Sequence, residues 1–181
     1  MKIDNINKVE EVKIDISEWM SYNITDIFDL KTSIWSDPNK YKEGNIPYVS
    51  RQIPNNGIKK FISTDTRLYE GNCITIGAES AVAYFQSKPF KTGEKVYRLY
   101  LKEKQGNRSL FLYFCTILTQ FGEKYHYNNM WSSSKIKEDK IKLPSILNKE
   151  TLKYEPNWEY MENYITDLEN TLNKSEKFKT K

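Results

Sequence analysis

Residues 71–100 constrain the fold more than any other stretch, because they hold three apolar runs too short for helices and too apolar for loops. Cys73, Ile74, Thr75 and Ile76 form a β-prone run closed by Gly77, and residues 81–85 form a second, with a turn between them. In residues 96–100, Val96, Arg98 and Tyr100 alternate with Tyr97 and Leu99, as in a strand with one wetter face. The loop before this third run, residues 87–95, carries Lys88, Lys91 and Lys95 against a single acid, Glu94, with Thr92 among them. A loop of that chemistry, held by β structure, presents cations and hydroxyls to a polyanion.

The pattern extends in both directions. Upstream, Thr25 and Asp26 open one helical turn through Ile27 and Phe28, followed by an extended segment over residues 30–35 and a turn-rich loop over 36–44. Residues 46–51 read as a strand with Pro47 near its start, Asn55, Asn56 and Gly57 as a tight turn, and residues 58–62 as a further strand. Ser50, Arg51, Asn55, Asn56, Lys59 and Lys60 therefore surround one strand, turn and strand unit. Downstream, Leu110, Phe114, Ile117, Leu118 and Phe121 make one apolar stripe of a helix over residues 109–124. A polar and aromatic loop over 125–134 brings Ser132, Ser133 and Ser134 to Lys135, and residues 140–144 read as another strand, with Ile136, Ile141 and Leu143 as core contacts.

A last helix is expected from Pro156, with Trp158, Met161, Ile165, Leu168 and Leu172 at spacings of three and four. That seam either pairs with a second helix or packs on its own domain. The expected division is a leader over 1–18, docking through Val9, Val12, Ile14 and Ile16, a domain over 19–155, the helix over 156–174 and a flexible basic tail over 175–181.

Composition and missing motifs narrow the function. With 181 residues, 38% hydrophobic and 14% aromatic, the chain is long enough for one real core and too aromatic for disorder. No stretch approaches eighteen apolar residues and residues 1–11 lack a signal core, so a cytoplasmic protein without membrane contact is expected. Cys73 and Cys115 lie in apolar runs and read as buried thiols, and the lone His126 cannot build a multi-histidine metal site. Neither glycine-rich phosphate loop is present, and residues 45–48, NIPY, do not match an amino-methyltransferase motif, so no cofactor is expected. A metal-dependent nuclease would rest on Glu123, Glu138 and Lys140 alone, and a pure protein-interaction domain on the last helix. Net charge of +4 permits nucleic-acid binding without demanding it, so local clustering must decide. Residues 50–60, 87–95 and 128–137 each mix Lys or Arg with Asn, Ser or Thr, the side chains that neutralise phosphates and reach base edges.

The ordered motifs resemble the target recognition domains of DNA specificity subunits from type I restriction-modification systems, and their type IIB and IIG relatives. Trp19 followed by residues 24–30, ITDIFDL, resembles the family's domain opening, and residues 44–51, GNIPYVSR, its early strand. Residues 71–77 resemble a following strand, 140–144, KIKLP, the strand that leads to the spacer helix, and 158–165, WEYMENYI, that helix's start. The resemblance implies an α+β fold with a curved, mainly β target-recognition core, one packed helix and a long C-terminal spacer-type helix. It also implies non-catalytic, sequence-specific reading of double-stranded DNA for methyltransferase and restriction subunits. In this reading Ser50, Arg51, Asn55, Asn56, Lys59, Lys60, Lys88, Lys91, Thr92, Lys95, Ser132, Ser133, Ser134 and Lys135 contact DNA. Typical specificity subunits carry two recognition domains and this chain carries one, so the helix seam would pair in a homodimer or with a second specificity domain.

Overall fold

Short strands joined by turns that tolerate left-handed backbone build most of the domain, seen here in a computed structural model that describes residues 16–102 and 105–179. The leader positions Val9, Val12 and Ile14 lie outside the described residues. Strand β1 (Met20–Asn23) runs into one turn of helix, α1 (Ile24–Ile27), and then β2 (Phe28–Lys31). The expected extension to residue 35 does not occur: the strand stops at Lys31, and residues 32–37 form an irregular loop. Strand β3 (Lys42–Val49) starts earlier than expected and pairs with β4 (Ile58–Ser63) across the Asn55–Gly57 turn. Asn55, Asn56 and Gly57 take φ of 55°, 55° and 74°, the conformations for which Asn and Gly are suited.

Strands β5 (Cys73–Gly77) and β6 (Ala83–Gln86) form the expected hairpin. The basic loop that follows is less free than its composition suggests. It contains β7 (Lys91–Thr92), parallel to β3, and a bridge from Phe90 to Tyr69. Strand β8 (Val96–Leu101) then enters between β2 and β5, giving an antiparallel order β2-β8-β5-β6 beside a second sheet, β4-β3-β7.

Helix α2 (Arg108–Gly122) is opened by the Asn107 side chain, which accepts from the Leu110 N–H at 2.9 Å. Its stripe covers the first sheet: Leu110, Phe114 and Leu118 are fully buried, Phe114 meets Phe28 edge-on at 4.9 Å, and Phe111 stacks on Phe85 at 4.7 Å. A side chain at Gly122 would lie 2.3 Å from the Ala81 carbonyl, so only glycine lets the helix end close on the β5–β6 turn. Residues 133–138, expected as a loop leading into a strand, form a helix, α3 (Ser133–Glu138), before β9 (Lys140–Leu143) pairs with β1. A hairpin of β10 (Ser145–Asn148) and β11 (Lys153–Pro156) follows, so Pro156 ends a strand and does not open the helix. Asn157 takes the capping role for α4 (Trp158–Lys179), accepting from the Tyr160 N–H. The helix continues to Lys179, into the stretch expected as a free tail.

Three of the five residues of the expected pairing seam are spent inside the domain. Met161 is fully buried, Ile165 is 9% exposed, and Trp158 packs against Phe114, whereas Leu168 and Leu172 are 46% and 63% exposed. A carboxylate ties the far side together: Asp139 accepts from the Tyr125 hydroxyl and Trp131 Nε1, both at 2.8 Å, and pairs with Lys124 at 3.2 Å. Among the described residues no helix is long and apolar enough to cross a membrane.

Replacing Asp139 with alanine strands the buried indole donor and removes two charge-assisted bonds, so urea titration is expected to show a loss of about 2–4 kcal/mol. A second outcome follows from burial. It pushes the Cys73 and Cys115 thiols up from 9.0 to about 12. Burial also raises the Tyr100 and Tyr125 hydroxyls from 10.0 to about 12, with Asp139 adding to the effect at Tyr125. These folded values exceed the unfolded ones, so the stability they contribute is complete below pH 9 and is lost as pH climbs toward 12. Urea midpoints measured from pH 7 to 11 should stay level as far as these groups are concerned up to about pH 9 and then fall.

Candidate nucleic-acid interface

The β4-β3-β7 sheet brings the first two predicted segments together. Lys60 and Lys91 both lie opposite Tyr48, so strand pairing places two lysines on the face that carries the tyrosine. A register shift beside Val49 makes Lys59 the extra residue of a bulge, and Lys59 also lines a cleft with Tyr48, Ser50 and Arg51. Thr92 is a correction. It lies opposite Val49 on the other face and is fully buried, because adjacent strand residues point to opposite sides, so it borders the larger cleft beside Lys91 without exposing its hydroxyl.

The remaining predicted residues differ in how much of their chemistry is free. Arg51 pairs with Glu79 at 2.5 Å, with side chains 36% and 26% exposed. Lys60 Nζ donates to the Tyr41 carbonyl at 3.2 Å, and Lys91 Nζ to Thr66 Oγ1 at 3.1 Å and the Arg67 carbonyl at 2.8 Å. Asn56 Nδ2 donates to the Phe85 carbonyl at 3.0 Å, which pins the turn to β6, while Asn55 beside it is exposed. Lys59, Lys88 and Lys95 are exposed.

The third segment does not line either cleft beside this face. Ser132 caps α3 and shares a 2.8 Å hydrogen bond with Ser134, and Lys135 Nζ is held by Asn129 Oδ1 and the Met130 carbonyl. Ser133 is half-buried in the first turn of that helix. A backbone relay still connects the segment to the others: Trp131 N–H donates to the Ala78 carbonyl, and Ala78 N–H to the Lys95 carbonyl, both at 2.9 Å.

Sequence reasoning missed the larger feature, a cleft of about 940 Å³ between the two sheets. Lys31, Lys40, Arg67, Lys91 and Arg98 line it against three acids, Asp29, Asp37 and Glu70, so its wall is net cationic. Arg98 lies over the Tyr69 ring at 3.8 Å and donates to the Thr32 carbonyl at 2.7 Å. The Tyr48 hydroxyl donates to the Ser36 carbonyl at 2.5 Å, and burial raises its pKa, keeping it a donor. The alternation around Arg98 was visible in the sequence, but its meeting with Arg67 and Lys40 depends on loops whose paths local pattern does not fix. For the nuclease alternative, no cluster of three or more His, Cys, Asp or Glu placed to hold a metal occurs among the described residues.

Comparison with known proteins converges on one family. The model of the type I restriction modification DNA specificity domain matches residues 16–176. The specificity subunit S.BcgI of a type II restriction enzyme from Heyndrickxia coagulans is 27% identical over 169 residues, covering 92% of this chain and 48% of that protein. Among solved structures, the S subunit of a type I restriction-modification system from M. genitalium superposes with a TM-score of 0.58 at 16% identity, covering 89% of this chain and 41% of that one. The HsdS subunit from Thermoanaerobacter tengcongensis gives 0.56 at 11% identity, covering 91% and 41%. The chain thus spans about half the length of the curated relative it matches.

Proposed function

This chain belongs to the type I restriction modification DNA specificity domain family, and on that premise we propose that it is a target-recognition module that reads double-stranded DNA. The observation that carries the reading is the Lys60, Tyr48, Lys91 row, continued by Lys59 and Arg51 on one side and by the cationic cleft on the other. Duplex binding needs closely set cations to replace counterions and a few planar donors to reach base edges, and this face supplies both. Lys59, Lys60, Lys88, Lys91 and Lys95 serve phosphates; Arg51, Ser50 and Asn55 face bases; Asn56 shapes the turn that presents them. Ser133 and Ser134 form the outer margin of the contact, while Ser132 and Lys135 hold the loop and cap that present them.

The module performs no chemistry itself and directs methyltransferase and restriction partners to the bound site. The exposed outer half of the α4 seam, Leu168 and Leu172, supports pairing with a second helix, from another copy or another specificity domain, while Trp158, Met161 and Ile165 anchor α4 to its own domain.

Selection from a randomised duplex pool, with and without a methyltransferase partner, should return an enriched sequence, and a flat pool in both would remove the proposal. Against the enriched duplex, Arg51→Ala should reduce discrimination between right and wrong base by about 5- to 150-fold. Lys59→Ala should weaken right and wrong sequences equally and lower the salt slope by about 0.9. Equal effects from both substitutions would end the base-reading role of Arg51.

A further inference from the structure

We propose that Ile34 and Trp35 form an apolar wedge that enters the base stack of the bound duplex, an inference that rests on the DNA-recognition reading above. Ile34 is 78% exposed and Trp35 is 60% exposed, in a chain whose Trp131 is fully buried. Two adjacent large apolar side chains facing water are a standing cost unless something covers them.

Their backbone is fixed from both sides. Arg98 donates to the Thr32 carbonyl, Ser33 Oγ to the Val96 carbonyl at 2.7 Å, the Ile34 N–H to the Tyr69 hydroxyl at 3.1 Å, and the Tyr48 hydroxyl to the Ser36 carbonyl. Ser36 Oγ is hydrogen-bonded to the Tyr41 hydroxyl at 2.8 Å. The loop is therefore a rigid mount with its apolar tip outward, not a collapsed segment.

The surroundings choose the occupant. Trp35 lines both clefts, with Lys40 Nζ 5.6 Å from its ring centroid and Arg67, Lys91, Arg51 and Lys59 on the flanking walls. An apolar protein partner would bury those cations without compensation, whereas a nucleic acid offers phosphates to the cations and stacked bases to the indole. The gain from burying an indole and the cost of unstacking one base step are of similar size. Insertion is therefore favourable only where the step opens easily, as pyrimidine–purine steps do, so the wedge contributes discrimination without a hydrogen bond to any base.

The test uses the full chain and the enriched duplex with 2-aminopurine, which brightens on unstacking, placed at successive positions. The wild type should raise emission at one or two adjacent steps. Trp35→Ala should abolish that rise and weaken binding about tenfold with an unchanged salt slope, Trp35→Phe should keep most of both, and Lys59→Ala should lower the salt slope yet keep the rise. Trp35→Gln and Ile34→Ala, compared by circular dichroism melting, provide the same readout if Trp35→Ala folds poorly. Bound wild type with no emission change at any position overturns the wedge, and so does a Trp35→Ala variant that keeps the rise. Lack of duplex binding by the wild type in low salt removes the DNA-recognition reading first and the wedge with it.

Discussion

The carboxylate of Asp139 is the interaction on which the arrangement of the second half of the domain depends. Its side chain collects Tyr125, Trp131 and Lys124, and its own carbonyl accepts from the Ile24 N–H at 3.1 Å. One residue therefore joins the end of α2, the buried indole, the start of β9 and the first turn of the domain. A carboxylate in so covered a place is tolerable only because each approach carries a donor. Trp131 is held in turn by the Ala78 carbonyl, so the constraint runs on to the β5–β6 turn and, through Ala78, to Lys95 at the start of β8. The loop that carries the serines is thereby registered against the first sheet, where Lys95 leads into β8.

Much of this architecture was legible because it follows from local rules. The period-two run at Val96–Leu101, the asparagines and glycine of the Asn55–Gly57 turn, and the stripe of α2 each specify their own conformation with little help. The misreadings occurred where tertiary contacts outweighed local pattern. Residues 133–138 form a helix because Ser132 supplies a cap and Ile136 is drawn fully into the core, which outweighs a composition that reads as loop. Residues 32–35 look extended by β-branching, but the Thr32 carbonyl accepts from Arg98, the Ser33 hydroxyl donates to the Val96 carbonyl and the Ile34 N–H donates to the Tyr69 hydroxyl, side-chain bonds that replace strand pairing. The hairpin of β10 and β11 buries little and has a weak apolar signature, so nothing in its composition announced it.

The candidate surface was legible as chemistry and not as geometry. Three segments carried residue types suited to phosphates and base edges, but in the two that become strands parity decides which side chains share a face. Lys91 and Thr92 are neighbours in sequence and opposites in space, and the bulge at Lys59 keeps that residue in the cleft with Tyr48. The cations at Lys31, Lys40 and Arg67 come from the end of β2, the β2–β3 connection and the β4–β5 connection, each unremarkable alone, and become one wall only when the two sheets are set side by side.

That several of these polar groups already have partners bears on how readily they could exchange them. On the proposed reading Arg51 would leave Glu79 to reach a base; an ion pair with this degree of exposure is worth about 0–1 kcal/mol, while a bidentate contact to guanine discriminates by about 1–3 kcal/mol. On that reading the exchange would be downhill on the right sequence and close to neutral on a wrong one, the condition for a reader. Lys135 stands differently, since its ammonium already satisfies Asn129 and the Met130 carbonyl within a capped helix, and releasing it would undo the loop that holds Trp131. Residues paired at the surface can thus serve both folding and recognition, whereas those paired within a cap are committed to the fold.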